Sequence, residues 1–207
     1  QTEQDSRLFA IFAKVPVLDP ATPREARTLA RLAVELSHRH RLPVLLRPTI
    51  RVCHARQTVD AGPVGPARRP ARFVRDPSRW AATPTFRLKL HRELNGKLAA
   101  IRREFESFPG NASEEGEGDL GIIACGAAWG VATDVLGEMG MHPPVLKLAT
   151  VFPVPLELVG RFLSRCRQGL ILEEPDAAVE IQIPDRRKLL GRLTGDVPGA
   201  GELTADL

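Results

Sequence analysis

The stretch Val15-Pro16-Val17-Leu18-Asp19-Pro20-Ala21-Thr22-Pro23-Arg24-Glu25-Ala26 holds a strand, a turn and the start of a helix. Val15, Val17 and Leu18 make a short apolar strand. Thr22-Pro23-Arg24-Glu25 is a capping box with proline at the first helical position, where its missing N–H is not needed. Ala26, Leu29, Ala30, Ala33 and Leu36 then recur at helical spacing. Pro43 closes the following turn, and Val44-Leu45-Leu46 reads as a buried strand. Residues 14–51 thus form one β-α-β unit, which favours a parallel strand pair joined by a right-handed crossover.

The same alternation returns further along. Leu120 to Cys125 predicts a strand, and Gly126 opens a helix to about Met139. Val145 to Val151 reads as one buried strand, Pro155 starts a helix through Leu156, Val159, Phe162 and Leu163, and Leu170-Ile171-Leu172 is a third strand. Such alternation implies an α/β fold with a mostly parallel sheet covered by helices. Between the two units, Gly62, Pro63, Gly65, Pro66 and Pro70 break any regular element, so residues 57–92 read as a linker. Leu88 to Phe105 predicts a helix interrupted at Asn95-Gly96, and Pro109-Gly110-Asn111 stops it. The acidic stretch through Asp119 reads as a loop, and the tail from Leu189 is rich in turns.

Composition narrows the function. Tyrosine is absent and only Trp80 and Trp129 supply indole, which argues against a carbohydrate or single-stranded RNA reader built on stacking platforms. The net charge of +4 is unevenly spread: Arg68 to Arg103 carries 11 Lys or Arg against Asp76 and Glu93, and Glu104 to Asp119 carries six carboxylates and no base. The blocks read either as mutually neutralising or as a phosphate-binding patch. Cys53, Cys125 and Cys166 lack C-x-x-C spacing, which excludes a local zinc or iron–sulfur motif and suggests reduced, cytosolic thiols. No apolar run reaches membrane-spanning length.

Four stretches carry a family resemblance: Gln1-Thr2-Glu3-Gln4-Asp5-Ser6-Arg7; Leu42-Pro43-Val44-Leu45-Leu46-Arg47-Pro48-Thr49-Ile50-Arg51; Leu148-Ala149-Thr150-Val151-Phe152-Pro153-Val154-Pro155; and Gly191-Arg192-Leu193-Thr194-Gly195-Asp196-Val197-Pro198-Gly199-Ala200-Gly201-Glu202-Leu203. The connector Phe73 to Trp80 fits as well. Together they resemble the alpha subunit of the indolepyruvate ferredoxin oxidoreductases, a thiamine-diphosphate-dependent 2-oxoacid:ferredoxin oxidoreductase family. The resemblance implies that residues 1–60 are the C-terminal part of a pyrimidine-binding thiamine domain, 61–117 a basic then acidic linker with a helix, and 118–207 a transketolase C-terminal-like domain. It implies an intact enzyme that oxidatively decarboxylates aryl pyruvates to acyl-CoA, using thiamine diphosphate, Mg²⁺ and iron–sulfur clusters, with a beta subunit, ferredoxin and coenzyme A as partners. The cofactor-activating glutamate, the diphosphate-binding domain and the cluster ligands match nothing here. The polar opening without methionine also leads us to expect an internal segment of a longer cytoplasmic polypeptide, inactive and cofactor-free by itself.

Ligands of open α/β sheets bind beyond the carboxyl ends of the strands. Arg47, Thr49 and Arg51 follow the Val44–Leu46 strand at that end and read either as contacts to substrate or a facing subunit, or as structural groups paired with carboxylates. The resemblance makes Gln1 to Arg7 a loop near the cofactor cleft, with Gln4 and Arg7 as hydrogen-bond donors to substrate; the alternative is that these residues cap the next element. No catalytic or metal-ligating residue is expected. His38, His40, His54, His91 and His142 show no ligand spacing and read as exposed helix-end residues. Gly116-Glu117-Gly118-Asp119 lacks the downstream Asn of a thiamine metal motif. Gly126 reads as a close strand–helix packing point rather than a phosphate cradle, and Cys125 as a small buried apolar residue rather than a nucleophile. A non-catalytic packing and subunit-interaction module is the competing reading of the whole chain, and a nucleic-acid binder acting through Arg68 to Arg103 is a third.

Overall fold

The computed structural model describes residues 4–62, 73–199 and 201–205. Gln1 to Glu3 and the linker prolines and glycine from Pro63 to Pro70 lie outside these residues. Asp5 to Arg7 start a helix rather than continue a loop. Asp5 is the N-cap of α1 (Ser6–Ala13), its side chain accepting from the Arg7 N–H, and Lys14 ends the helix in the left-handed region at φ 56°. An aspartate at this position satisfies an N–H that the helix leaves free.

The β-α-β unit forms as its sequence dictates. Strand β1 (Val17–Leu18) is fully buried and runs parallel to β2 (Leu45–Leu46). Helix α2 (Pro23–His40) connects them, with Thr22 Oγ1 accepting from Glu25 N–H at 3.1 Å and Glu25 Oε2 accepting from Ala21 N–H at 2.7 Å. Leu29, Ala33 and Leu36 are its buried stripe. The expected buried strand at Val44 to Leu46 is only two residues long and half-buried, because β2 is the edge of its sheet.

The expected single strand from Val145 to Val151 is in fact two. Strand β5 (Val145–Leu148) belongs to a five-stranded sheet; after the buried Ala149, the strand numbered β6 (Thr150–Phe152) joins the other sheet, antiparallel to β1. One run of chain thus feeds both sheets. Asn111 explains how the break is tolerated: its Oδ1 accepts from Ala149 N–H at 2.8 Å and Thr150 N–H at 3.2 Å, and its Nδ2 donates to Phe105 O at 2.9 Å and Thr150 Oγ1 at 2.8 Å. Backbone groups that lose a ladder partner when buried need a replacement.

The larger sheet has the order β3-β5-β4-β7-β8, formed by β3 (Ala112–Glu114), β5, β4 (Leu120–Cys125), β7 (Gln168–Leu172) and β8 (Leu189–Leu190). All its pairings are parallel except the β3 edge. That edge strand lies in the acidic stretch read as a loop; all three of its side chains are exposed, so no apolar alternation announces it. Three helices were not anticipated or were misjudged. The short α3 (Ile50–His54) and α4 (Pro77–Trp80) start on the caps Thr49 and Asp76. Helix α5 (Arg87–Phe105) runs unbroken through Asn95-Gly96. Helices α6 (Ala127–Met139) and α7 (Leu156–Ser164) complete the second unit.

One apolar cluster joins the two sheets, including Val17, Val151 and Phe152 from the smaller and Ile123, Leu146 and Ile171 from the larger. A second packs α2 and α5 against β1 through Leu18, Leu29, Leu36, Ile101 and Phe105.

Candidate functional site

The carboxyl ends of β1, β2, β4 and β7 converge. Asp19 follows β1, Arg47 follows β2, Cys125 ends β4, and Glu173-Glu174 follow β7. Each apolar strand thus hands over to a polar residue at the end where open α/β sheets place their ligands. Here the polar residues face each other at the carboxyl ends of strands from both sheets.

Arg7 is the centre of the group and is completely buried. Its guanidinium meets Asp5 Oδ2 at 2.6 Å and Glu173 Oε2 at 3.0 Å, and donates to Asp176 O at 2.7 Å and Cys125 Sγ at 3.5 Å. Burial opposes its charge, but the hydrogen bond to Asp5 and the surrounding anions outweigh that and raise its pKa. Such satisfaction is what allows an ion to remain in an interior. Glu173 has no exposed surface and accepts from Val179 N–H and Glu180 N–H, both at 2.8 Å. Burial pushes its carboxyl above the usual range, against the opposing effect of Arg7.

Arg47 forms the second half of the cluster. It reaches Asp19 Oδ2 at 3.1 Å and donates to Glu174 O at 3.3 Å. Asp19 is raised by burial, opposed by the charges of Arg47 and Arg7. Gly126, with φ +54°, lies so close that a Cβ there would stand 2.8 Å from both Asp19 oxygens. The start of α6 is therefore faced by a carboxyl group, which is unsuited to receiving a phosphate. Burial also raises the Cys125 thiol well above its ordinary value, so it is not set up as a nucleophile.

Arg51 closes the rim. It pairs with Glu174, donates to Leu203 O at 3.0 Å and lies 3.9 Å from Glu202. Arg7, Arg47 and Arg51 together hold the segment from Glu173 to Asp176 against α1 and the first β-α-β unit. Thr49 caps α3 by accepting from Val52 N–H at 3.4 Å, and Gln4 is exposed without joining the cluster. The three arginines expected from the sequence are thus brought together, and Gln4 and Thr49 are not. Asp5 is the helix cap that the alternative reading of the opening allowed, while Asp19, Glu173 and Glu174 were missed, although a carboxylate directly after an apolar run, as in Leu18-Asp19 and Leu172-Glu173-Glu174, was a usable signal.

His40 is not the exposed residue expected: only 10% of its side chain is accessible, and its Nε2 lies 2.6 Å from Glu104 Oε1 on α5. Gly116 to Asp119 is an exposed turn. Among the described residues, no group of His, Cys, Asp and Glu is disposed to hold a metal ion.

Curated relatives match this chain over most of its length. Indolepyruvate oxidoreductase subunit IorA of Archaeoglobus fulgidus is 34% identical over 202 residues, covering 96% of this chain and 32% of that protein. The IorA of Methanothermobacter marburgensis is 38% identical over 185 residues, covering 88% and 30%. The chain is a relative of indolepyruvate oxidoreductase subunit IorA. It spans about a third of the length of these IorA proteins. No family model matches the chain. Among solved structures, a split-gene transketolase in an inactive beta4 tetramer is 17% identical with a TM-score of 0.47, covering 86% of this chain and 48% of that one. A 2-oxoglutarate:ferredoxin oxidoreductase from Magnetococcus marinus is 17% identical with a TM-score of 0.43, covering 60% and 22%. Among the described residues no helix is long and apolar enough to cross a membrane.

Proposed function

We propose that this chain is the α/β portion of a thiamine-diphosphate-dependent 2-oxoacid:ferredoxin oxidoreductase acting on aryl pyruvates such as indolepyruvate. The observation that carries the reading is the identity of 34% and 38% to two IorA subunits over nearly all of this chain. On this reading residues 1–60 close a pyrimidine-binding thiamine domain, 61–117 form a linker, and 118–207 form a transketolase C-terminal-like domain. A beta subunit, ferredoxin and coenzyme A are the partners of the complete enzyme. The described residues do not themselves fit a diphosphate and its metal ion, since Asp19 faces the start of α6 and no ligand group is assembled. When bound by the complete enzyme, thiamine diphosphate supplies the carbanion chemistry.

The residues of this chain then position rather than react. Arg51, with 30% of its side chain accessible, is the cation best able to meet a substrate carboxylate or a facing subunit; Arg47, at 14%, is second. Gln4, which is exposed, and Thr49, which caps α3, remain polar candidates that stand apart from the cluster. A second reading, a packing module that buttresses the catalytic domains, is favoured by the fully buried Arg7 with two carboxylates. The test is Arg51→Ala in the complete enzyme that carries this segment. We expect kcat/KM for indolepyruvate to fall about tenfold or more at an unchanged melting temperature. A parallel loss of stability and turnover assigns Arg51 to the packing role instead.

A further inference from the structure

At the opposite end of the first unit, where α2 finishes and β2 begins, lies an open groove of about 640 Å³. Its wall is a small built ledge. Asp76 caps α4 by accepting from Ser78 N–H at 3.1 Å and Ser78 Oγ at 2.6 Å, and the Trp80 indole N–H donates to Val74 O at 3.1 Å. These bonds hold Phe73, Val74 and Trp80 side by side, with 82%, 58% and 58% of their surfaces accessible. The chain has only two tryptophans, and this one is spent on the surface. Apolar side chains exposed together and rimmed by polar ones offer a contact surface to a partner.

The rim is basic. His38 of α2 and Arg41, which caps its end, line one side and Arg79 the other, with exposed Arg75 beside the ledge. Among the described residues none of these arginines has a carboxylate within ion-pair distance. Asp76 is the one acid in the lining, and its carboxylate is occupied by Ser78, which holds its pKa below the usual range. Among the described residues the acidic block finds its ion-pair partners outside the basic one: Glu115 pairs with Arg165, and Asp119 lies 3.9 Å from Arg167.

We propose that this groove docks an acidic protein segment bearing at least one large apolar side chain. Three occupants compete, and the geometry separates them. A nucleic acid would need a free aromatic face, but Arg79 lies 4.9 Å over the Trp80 ring and Asp76 stands in the lining. A second copy of this chain would offer Ser113 to Asp119 as its acidic surface, but that stretch has no apolar side chain to cover the ledge. A partner that combines carboxylates with an apolar anchor satisfies both halves of the groove, and anchors in such contacts dominate affinity. The groove lies away from the strand-end cluster, so the proposal does not depend on the catalytic reading above.

The test is selection of random peptides displayed on phage against the full 207-residue chain. Counter-selection uses Trp80→Ala/Arg41→Glu, with Arg79→Glu as a second variant; Trp80 and Arg41 are exposed and Arg79 is half-buried, and parental melting temperatures are checked first. We expect enriched peptides rich in Asp and Glu with a Leu, Ile or Phe among them, binding about tenfold more weakly to either variant. Neutral or basic winners, no enrichment, or equal affinity for the variants would overturn the proposal. So would tighter binding of a mixed-sequence single-stranded oligonucleotide, or a concentration-dependent dimer that the same substitutions abolish.

Discussion

Arg7 stands on the two carboxylates that flank it, and they stand on Arg7. Replacing it by Met leaves Asp5 and Glu173 inside without a cation, which costs about 3–5 kcal/mol for a broken buried pair. Urea unfolding of Arg7→Met is expected to show that loss, whereas an exposed pair such as Arg187–Asp185 is expected to contribute little when cut. The pH dependence follows from the same interior. Asp19 and Glu173 are raised above their ordinary 3.8 and 4.5, chiefly by burial. The folded state therefore holds their protons more tightly than the unfolded state. Their contribution to stability is complete below the ordinary carboxylate range and is lost as pH rises through the raised values. Asp19→Asn removes one of the two titrations, so its melting temperature is expected to decline less steeply than the parent's above about pH 4. Parallel pH profiles for parent and variant would contradict this origin. Arg47 and Arg51 were legible because a cation after an apolar strand is conspicuous, whereas Arg7 was named only through the family resemblance. Their partners were not, because Glu173 is separated from Arg7 by 166 positions and only the convergence of the two sheets joins them.

At the scale of elements, local signals worked wherever packing agreed with them. The Thr22 to Glu25 capping box starts α2 where it was read, and the apolar stripe of α2 is the buried one. They failed where an element depends on something distant. The run from Val145 to Phe152 is apolar apart from Lys147 and Thr150, and nothing in that pattern reveals that Ala149 divides it between two sheets. Asn95-Gly96 looks like a break, yet α5 continues, anchored by buried Ile101 and Phe105 further along and by Lys14 donating to Asn95 Oδ1 at 2.6 Å. Asn111 looked like a stop signal and is also the group that makes the sheet junction possible. Asn111→Ala would leave the Ala149 and Thr150 N–H groups without that acceptor at a buried site. The expected cost is about 1–3 kcal/mol by chemical denaturation. Hydrogen exchange at those two amides is the sharper check: it should accelerate in the variant while the amides of β4 remain protected.

At the scale of the molecule, the two sheets are tied in three ways: a chain run that passes from β5 into β6, a shared apolar cluster, and three arginines clamped on the segment after β7. The sequence announces two α/β units with a breaker-rich stretch between them, which by itself suggests two parts that unfold separately. The ties argue otherwise. Val17 of β1 packs in the same cluster as Ile123 of β4 and Ile171 of β7, so neither sheet can lose its partner without exposing its own interior. A shared core makes partial unfolding expensive and favours an all-or-none transition. The described residues 4–62 and 73–199 are therefore expected to unfold in urea as one unit, with coincident midpoints by far-ultraviolet circular dichroism and by fluorescence of Trp129, measured in a Trp80→Phe background. Trp129 sits on α6 in the second unit, while much of the helical signal comes from α2 and α5 against the first sheet. Two separated transitions would show that the clamp and the shared cluster do not couple the sheets. Arg7→Met sharpens the comparison, because weakening the clamp should lower both midpoints together if the units are coupled, and should leave one of them in place if they are not.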